Sequence, residues 1–390
     1  MSMFIRISVI FLLLPALSVS AQDKMVDPRA TAQTRALYAN MLRVSSQKQI
    51  LFGHQDDLAY GVGWREMQGG SDVKYACGDY PAVYGWELGN LEKDATHNLD
   101  SVHFGKMKKW IKEGYKRGGI ITLSWHMSNY HTGGSAWDTS AAVRDILPGG
   151  VHHARYKADL DRFARFTGDL KTGGLFQRDF IPVIFRPFHE HTGSWFWWGK
   201  GHVTPEEFKS LWKFTVAYLR DEKQLHHLVY AFSTSWNYSN EAEMLEFYPG
   251  DEWADVLGID FYAYDNRQET WDNYVKCQEI LIESAQKRRK IPALTEFGFE
   301  GIPQPDWWTR VLLPHLSVAD QCTVAYACAW RNANTRHHYV PYSGHISTPD
   351  FQEFYRHDAT LFESDLWNFY KKPPDTRPAP GGKTRSQPGQ

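Results

Sequence analysis

The chain contains few cysteines, and their spacing excludes several kinds of site. Only four occur among its 390 residues, at Cys77, Cys277, Cys322 and Cys328, and none has the Cys-x-x-Cys spacing of a zinc or redox site. A disulfide framework is therefore not indicated. Cys322 and Cys328 flank one predicted strand, which would separate them by about 20 Å, too far for a bridge between the two. A single bridge elsewhere, such as Cys77 with Cys277, stays open.

The chain also lacks long runs of like charge and, beyond its first residues, long apolar runs. Its 43 basic and 45 acidic residues nearly cancel, which argues against nucleic acid as a partner because such proteins carry basic patches. After the N-terminal stretch, no apolar run approaches the ~20 residues that span a bilayer. Membrane insertion is therefore not expected, and nothing in the sequence indicates a protein partner.

The first residues have the pattern of a secretory signal peptide. Arg6 supplies the positive charge, residues 7–17 the apolar stretch, and residues 18–21 the small side chains for cleavage near Ala21. No cysteine lies there, so lipid attachment is not indicated. We expect a signal peptide at 1–21, one catalytic domain at 22–370 and a disordered Pro/Gly-rich tail at 371–390. The mature protein is expected to be exported, either to a periplasm or outside the cell.

Aromatic residues, in contrast, are abundant. They make up 15% of the chain and include 16 tryptophans. Such rings can fill a core, and they can also stack on the apolar faces of sugar rings. Trp195, Trp197 and Trp198 fall within four successive positions between Gly193 and Gly199. This pattern favours an exposed platform over core packing.

Strand and helix signals alternate along the chain. Near-continuously apolar runs bounded by turn residues predict eight strands, at 49–54, 81–88, 119–126, 181–190, 227–236, 255–262, 291–298 and 323–330. Apolar runs of this kind are typical of parallel strands covered on both faces. Helical periodicity occurs at 27–46, 102–116, 154–171, 205–221, 270–289 and 305–316. The pattern predicts an α/β fold, a single (β/α)8 TIM barrel whose groove lies at the C-terminal ends of the strands.

Two details support this barrel. The helix predicted from Pro205 has Thr204 as its N-cap and two glutamates in its first turn, which favour a helix start. Two long loops, 56–80 and 127–150, follow the first and third strands. In a barrel both emerge on the catalytic face.

Two glutamates, Glu190 and Glu296, each close an apolar strand run. Side chains at C-terminal strand ends converge on one mouth in a barrel, and sugar hydrolysis needs two carboxyl groups flanking one bond. The aromatic run after Glu190 would desolvate its carboxyl group and raise its pKa, which suits a general acid. An ion pair between Glu190 and Arg186 is the structural alternative. Glu296 lies before Phe297-Gly298, where the chain can turn off the strand, and is a candidate nucleophile.

Other residues are predicted around these glutamates. His189 could orient the site, and the Tyr262 hydroxyl could bind the Glu296 carboxylate. Trp330 would form the floor under the sugar at the cleavage point, and Arg331 would bind hydroxyl groups beyond it. A lone tyrosine such as Tyr262 is more often a core residue.

Several motifs in chain order resemble those of glycoside hydrolase family 26 β-mannanases. They span about residues 35–367 and are Gly53-His-Gln55, Ser124-Trp-His126, Gly133-Gly-Ser-Ala-Trp137, Arg186-Pro-Phe-His-Glu190 with Trp195, Tyr262, Thr295-Glu-Phe-Gly298 and Trp330-Arg331. The resemblance implies a retaining mechanism with Glu190 as acid/base and Glu296 as nucleophile.

The resemblance also implies the surroundings of the broken bond. His189, Trp195, Tyr262 and Trp330 would surround it, and His126 and Trp137 would line the glycone side. Retaining chemistry sets the two carboxyl groups about 5 to 5.5 Å apart and requires no cofactor. A structural calcium ion could still bind without a readable motif.

The resemblance leaves the substrate and the mode of attack open. The expected activity is endo-β-1,4-mannanase on mannan, galactomannan or glucomannan. Release of mannobiose from chain ends follows instead if loop 56–80 blocks the glycone end. Activity on β-1,3-xylan or mixed-linkage glucan is a further alternative within the family.

Two other function classes remain as alternatives. Metal-dependent hydrolysis is suggested by 17 histidines, but His189 and His191 lack the helical spacing of a zinc protease. A non-catalytic carbohydrate-binding protein could use the tryptophans alone. The paired glutamates argue against it, since a binder has no need of them.

Overall fold

The barrel is closed by eight parallel strands that pair in sequence order. The structure, a computed structural model, describes residues 25–173, 179–317 and 322–372. Each strand pairs with the next, and β8 pairs with β1 to close the ring. The strands are β1 Ile50–Gln55, β2 Val83–Glu87, β3 Ile120–Trp125, β4 Val183–Pro187, β5 Leu228–Ser235, β6 Val256–Tyr262, β7 Ile291–Gly298 and β8 Tyr326–Ala329.

All eight strands predicted from the sequence are present, most of them trimmed by one to three residues. Nearly every strand residue is buried, because the parallel sheet is covered by helices outside and by packed side chains inside. The fourth strand ends at Pro187, so Glu190 lies in the turn that follows it. The predicted barrel is confirmed.

Helices cover the outside of the strands and cap the ring. Helix α6 begins as predicted, with a capping box in which Thr204 and Glu207 bond to each other's backbone. A π-helical turn, Tyr218–Glu222, continues it. The α-helices are α1 Ala32–Ser46, α2 Asp72–Cys77, α3 Phe104–Arg117, α4 Val143–Ile146, α5 His153–Gly168, α6 Pro205–Ala217, α7 Glu241–Met244, α8 Gln268–Arg288, α9 Leu313–Leu316 and α10 Thr348–Arg356.

The long loops contain structure of their own. Loop 56–80 folds into a two-stranded hairpin, Tyr60–Gly61 with Trp64–Arg65, followed by α2. Loop 127–150 contains α4. The helix predicted at 305–316 is shorter and begins as a π-helical turn, Trp308–Leu312. Further short elements are the strand pair Lys171–Thr172 and Asp179–Phe180, the strand Thr360–Leu361 beside β1, and the 3₁₀ turns Leu91–Lys93 and Glu363–Asp365.

Helix α1 closes the N-terminal end of the barrel. Its buried side chains Leu37, Tyr38, Met41 and Val44 join one apolar cluster with residues from all eight strands. The Tyr38 hydroxyl donates a hydrogen bond to the Arg289 carbonyl ahead of β7. The closed end therefore lies opposite the mouth formed by the C-terminal ends of the strands.

One sequence prediction is wrong. Trp197 and Trp198 are fully buried and pack in the core beside Phe188, so only Trp195 of that run is exposed. The bridge between Cys77 and Cys277, which the sequence left open, is not formed, since Cys277 is a buried thiol outside any disulfide.

The predicted signal peptide at 1–21 lies outside the described residues, as does the predicted tail except for its first two residues. Within the described ranges, no helix combines the length and the hydropathy that crossing a bilayer requires.

Candidate active site

A cavity of about 540 Å³ opens at the C-terminal ends of the strands. Side chains from β3 to β8 and from the loops after them line it, which is where barrel enzymes carry their chemistry. The lining residues are His126, Trp137, Glu190, Trp195, Phe196, Ser235, Trp236, Asn237, Asp260, Tyr262, Tyr264, Glu296, Trp330 and Tyr339.

Glu296 lies two residues before the end of β7 and is held at both carboxylate oxygens. The Arg186 guanidinium, from β4, donates to Oε2 at 2.6 Å, and the Tyr262 hydroxyl, from the end of β6, donates to Oε1 at 2.5 Å. Charge-assisted hydrogen bonds of this kind are among the strongest in proteins. They stabilise the negative charge and fix the direction of the carboxylate.

Asp260 forms the other half of this network, two residues before Tyr262 on β6. Its Oδ2 accepts from Arg186 at 2.6 Å, and its Oδ1 accepts from the Thr295 hydroxyl at 2.6 Å and the Ser233 hydroxyl at 2.9 Å. Arg186 thus binds Asp260 and Glu296 with its two terminal nitrogens, so the alternative, an ion pair between Arg186 and Glu190, is not formed.

Glu190 has a different environment. Its backbone adopts a left-handed conformation with φ of 54°, which few residues other than glycine adopt without strain. The backbone N–H donates to the Ser233 carbonyl at 2.9 Å, and the carboxyl accepts from Trp195 Nε1 at 2.6 Å. Burial, and then the negative charges of Asp260 and Glu296, raise the pKa of Glu190 well above its usual range. The shift favours the protonated carboxyl group, which is the form that can donate a proton.

His126 is held at the end of β3 by Glu87, a buried residue at the end of β2. The Glu87 carboxylate accepts from the His126 backbone N–H at 2.8 Å and pairs with its Nδ1 at 2.8 Å. Burial lowers the pKa of His126, but the Glu87 carboxylate outweighs it, so the net shift is upward.

His189 lies behind His126, with their Nε2 atoms 3.1 Å apart. Burial, and then the positive charges of Arg186 and His126, lower the pKa of His189 well below its usual value. This shift favours the neutral form of His189, whose ring contacts His126 edge to face.

Two exposed indole rings flank the cavity. Trp137 is 53% exposed and stacks on His126 with 13° between ring planes. Trp195 is 39% exposed and is tied to Glu190. Trp330 follows β8, and its backbone N–H donates to the Phe297 carbonyl at 2.9 Å. Flat apolar faces and charged groups thus meet in one cavity, as a sugar ring with hydroxyl edges requires.

The family model for glycosyl hydrolase family 26 matches residues 26–300 of the chain. The chain belongs to glycosyl hydrolase family 26. A mannan endo-1,4-β-mannosidase of Bifidobacterium adolescentis is 37% identical over 284 residues, which cover 70% of this chain and 28% of that protein. A mannan endo-1,4-β-mannosidase of Bacillus subtilis is 28% identical over 276 residues, 66% of this chain and 72% of that protein. The chain therefore spans under a third of the length of the first relative.

Solved structures of family 26 share the fold. A family 26 β-mannanase from Bacteroides ovatus is 44% identical, with a TM-score of 0.83 over 87% of this chain and 98% of that chain. A modular endo-β-1,4-mannanase from Cellulomonas fimi is 34% identical, with a TM-score of 0.80 over 91% of this chain and 81% of that chain. The family resemblance predicted from the sequence is confirmed.

Seven of the nine predicted site residues of this family 26 chain line the cavity. His189 and Arg331 do not. Arg331 lies beside it and pairs with Asp100 at 2.9 Å. The seven are Glu190, Glu296, His126, Trp137, Trp195, Tyr262 and Trp330.

Sequence reasoning missed several residues of the family 26 site. Glu87 and Asp260 carried a signal, because each is an acidic residue inside an apolar strand run and such a residue needs a partner when buried. Trp236 and Tyr264 carried none, since single aromatic residues after a strand are common. Among the described residues, no group of three or more His, Cys, Asp or Glu side chains is arranged to hold a metal ion.

Proposed function

We propose that the chain is a retaining endo-β-1,4-mannanase in which Glu190 is the acid/base and Glu296 the nucleophile. One observation carries the proposal: a single cavity holds two glutamates in opposite environments. Glu296 is bound by Arg186 and Tyr262, whereas the pKa of Glu190 is raised by burial and neighbouring negative charge. Two such carboxyl groups divide the roles of nucleophile and acid.

The substrate class is supported by the relatives. Both curated relatives described above are mannan endo-1,4-β-mannosidases. The proposed substrates are mannan, galactomannan and glucomannan.

In the first step, a Glu296 oxygen attacks the anomeric carbon while Glu190 gives its proton to the departing glycosidic oxygen. The glycosidic C–O bond breaks and a glycosyl ester forms on Glu296. In the second step, Glu190 takes a proton from water, which attacks the same carbon and breaks the ester. Two inversions leave the β-configuration of the product unchanged.

The other predicted residues receive roles in binding. His126, Trp137 and Trp330 contact the glycone side and the ring at the cleavage point. Trp195 contacts the departing sugar, since its indole N–H already holds the proton-donating carboxyl. Arg331 binds hydroxyl groups further along the glycone, held in position by Asp100.

Mannobiose release from chain ends is a second candidate, favoured by contacts among the loops beside Arg331. Arg65 in loop 56–80 donates to the Ser101 carbonyl in the loop after β2, and Asp100 in that loop pairs with Arg331 after β8. Tyr60 donates to buried Asp56 at 2.8 Å in the same region. A hydrogen bond and an ion pair thus connect the three loops, and loops connected in this way can close the groove at its glycone end.

A product time course tests both candidates. Unbranched β-1,4-mannan and reducing-end-labelled mannohexaose are incubated with wild type, Glu296→Ala and the exposed-site control Glu283→Ala. A spread of oligosaccharides at the earliest points, from wild type and Glu283→Ala alone, supports endo attack. Mannobiose alone from the start supports the second candidate. No release by wild type contradicts both and directs the search to β-1,3-xylan and mixed-linkage glucan.

Stereochemistry and binding complete the test. Proton NMR of the first product from wild type should show the β-anomer, and the α-anomer would contradict a retaining mechanism. Glu296→Ala should still bind mannan in affinity electrophoresis. Mannan binding without hydrolysis by wild type would make the chain a binding protein instead.

Export is part of the proposal, supported by Arg6, the apolar residues 7–17 and the small residues before Ala21. Full-length protein expressed in a bacterial host should be recovered outside the cytoplasm with its N-terminus near Gln22. Uncleaved protein confined to the cytoplasm contradicts this part.

A further inference from the structure

Tyr264 is an exposed aromatic ring at the mouth of the cavity that the catalytic scheme does not use. It lines the cavity, yet 81% of its surface is exposed. A large apolar ring left open at the edge of a binding cavity is a surface that a ligand can cover.

The turn that carries Tyr264 is fixed on both sides. Before it, the Ala263 backbone N–H donates to the Gly298 carbonyl at 2.9 Å. After it, Asp265 accepts from the Thr270 hydroxyl at 2.8 Å, and Asn266 accepts from Trp271 Nε1 at 2.8 Å. The ring is therefore presented on an ordered turn, which lowers the entropy lost when a ligand binds.

The ring is also aligned with the catalytic centre. Tyr262, which holds Glu296, and Tyr264 have ring centroids 6.0 Å apart and planes only 24° apart. Both residues line the same cavity, so the two rings lie on one side of the chain. Burial and the negative charges of Glu190 and Glu296 raise the pKa of Tyr264.

The strand order indicates on which side of the broken bond the Tyr264 ring lies. Glu190 follows β4 and Glu296 lies on β7, so these two strands divide the ring of strands into two arcs. The proposed glycone residues His126 and Trp330 follow β3 and β8, in one arc. Tyr264 follows β6, in the other arc.

We propose that Tyr264 is the stacking platform for the pyranose ring on the aglycone side of the cleaved bond. Because its ring face packs on the leaving saccharide, Tyr264 determines the specificity of the enzyme for substrate length. This inference rests on the proposed function, because it takes the direction of cleavage from it.

The test compares a substrate with a saccharide leaving group and one without. Mannopentaose places sugars on the aglycone side, whereas β-mannobiosyl fluoride releases only fluoride and leaves that side empty. The variants are Tyr264→Ala, Tyr264→Phe, which keeps the ring face, and the control Val151→Ala, which trims an equally exposed apolar side chain outside the cavity.

Tyr264→Ala should lose about tenfold in kcat/KM on mannopentaose, mainly through KM, as expected for one aromatic stacking contact. It should stay within about twofold of wild type on the fluoride. Tyr264→Phe and Val151→Ala should stay within about twofold of wild type on both substrates.

Three outcomes overturn the platform. Wild-type kcat/KM of Tyr264→Ala on mannopentaose would show that the ring makes no stacking contact. An equal loss of kcat/KM on both substrates would mean that Tyr264 acts through Tyr262 and Glu296. A tenfold loss in Tyr264→Phe would assign the effect to the hydroxyl group. If wild type turns over neither substrate, the proposed function fails and the platform fails with it, whereas the first three outcomes leave the proposed function intact.

Discussion

Glu190 and Glu296 share one cavity, and their contacts explain why they can do different chemistry. Glu296 has a guanidinium and a phenol on its two oxygens. Glu190 accepts a hydrogen bond from an indole N–H, and burial and the negative charges of two nearby carboxylates raise its pKa. The same residue type is thus set up as an anion in one place and as an acid in the other.

The raised pKa of Glu190 predicts a pH-dependent stability cost. Since the folded-state pKa lies above the unfolded value of 4.5, the folded state binds more protons than the unfolded state between these two values. The free energy of unfolding therefore falls as pH rises through that window. Glu190→Gln removes this titration, so its stability relative to wild type should increase steadily as pH rises from 4 through neutrality.

Thermal unfolding of Glu190→Gln and wild type from pH 4 to 8 measures this difference. The exposed Glu283→Gln serves as control and should show a constant, small difference from wild type. A Glu190→Gln advantage that shrinks with rising pH would contradict the sign of the shift.

The hydrogen bond from Tyr262 predicts a kinetic effect. Tyr262→Phe removes the donor to Glu296 Oε1 and leaves the ring in place, so kcat should fall by about 10²-fold with KM nearly unchanged. Tyr230→Phe, at the closed end of β5, is the matched control and should retain wild-type kcat. A rise in KM at constant kcat would assign Tyr262 to binding alone.

Residue types and strand positions predicted Glu190, Glu296 and Trp330 at one mouth, and the family resemblance added Trp137. They could not predict which glutamate binds Arg186. Glu190 and Glu296 both close apolar strand runs, and the choice between them depends on the direction in which each side chain points. Trp197 and Trp198 were predicted on the surface, since the sequence does not reveal that the chain after Glu190 turns back into the core.

Strands are the elements that the sequence predicts best here, because parallel strands in a barrel are apolar throughout and stand out against their flanks. The hairpin and α2 in loop 56–80 escaped prediction. The hairpin strands are two residues long, and α2 has six residues, too short for a periodic pattern.

Gly258 on β6 shows how an element supports the site. A methyl group there would lie 2.6 Å from Thr295 Cγ2 and 2.7 Å from its hydroxyl oxygen, and that hydroxyl binds Asp260. Gly258→Ala should therefore cost about 1–3 kcal/mol of stability and lower kcat, because Thr295 and Asp260 must move.

Urea unfolding and steady-state kinetics of the purified variant measure both effects. Gly168→Ala at the end of α5 is the matched control, since nothing lies within 4 Å of the added methyl; it should be neutral or slightly stabilising. Wild-type kcat in Gly258→Ala would show that the strand tolerates the shift.

At the scale of the whole molecule, the two ends of the barrel have separate tasks. One end carries the cavity, and the other is filled by α1 and the inward side chains of all eight strands. Changes at the closed end should alter stability and leave substrate binding unchanged.

Met41 in α1 tests this separation. It is fully buried, so Met41→Ala should lower the free energy of unfolding by about 2–5 kcal/mol while KM for mannan stays within about twofold of wild type. Denaturant unfolding and kinetics below the transition measure the two quantities. A large change in KM would mean that the closed end and the cavity are coupled.

The pairing of β1 with β8 has a consequence for how the chain folds during synthesis. Leu51 pairs with Tyr326, so roughly 270 residues must be added after β1 before its second edge can be covered. At about 5–20 residues per second on the ribosome, that interval lasts tens of seconds. Throughout it, the nascent chain has an open sheet with two unpaired edges, a state prone to intermolecular strand pairing. The last barrel strand therefore sets the earliest moment at which this protein can fold completely.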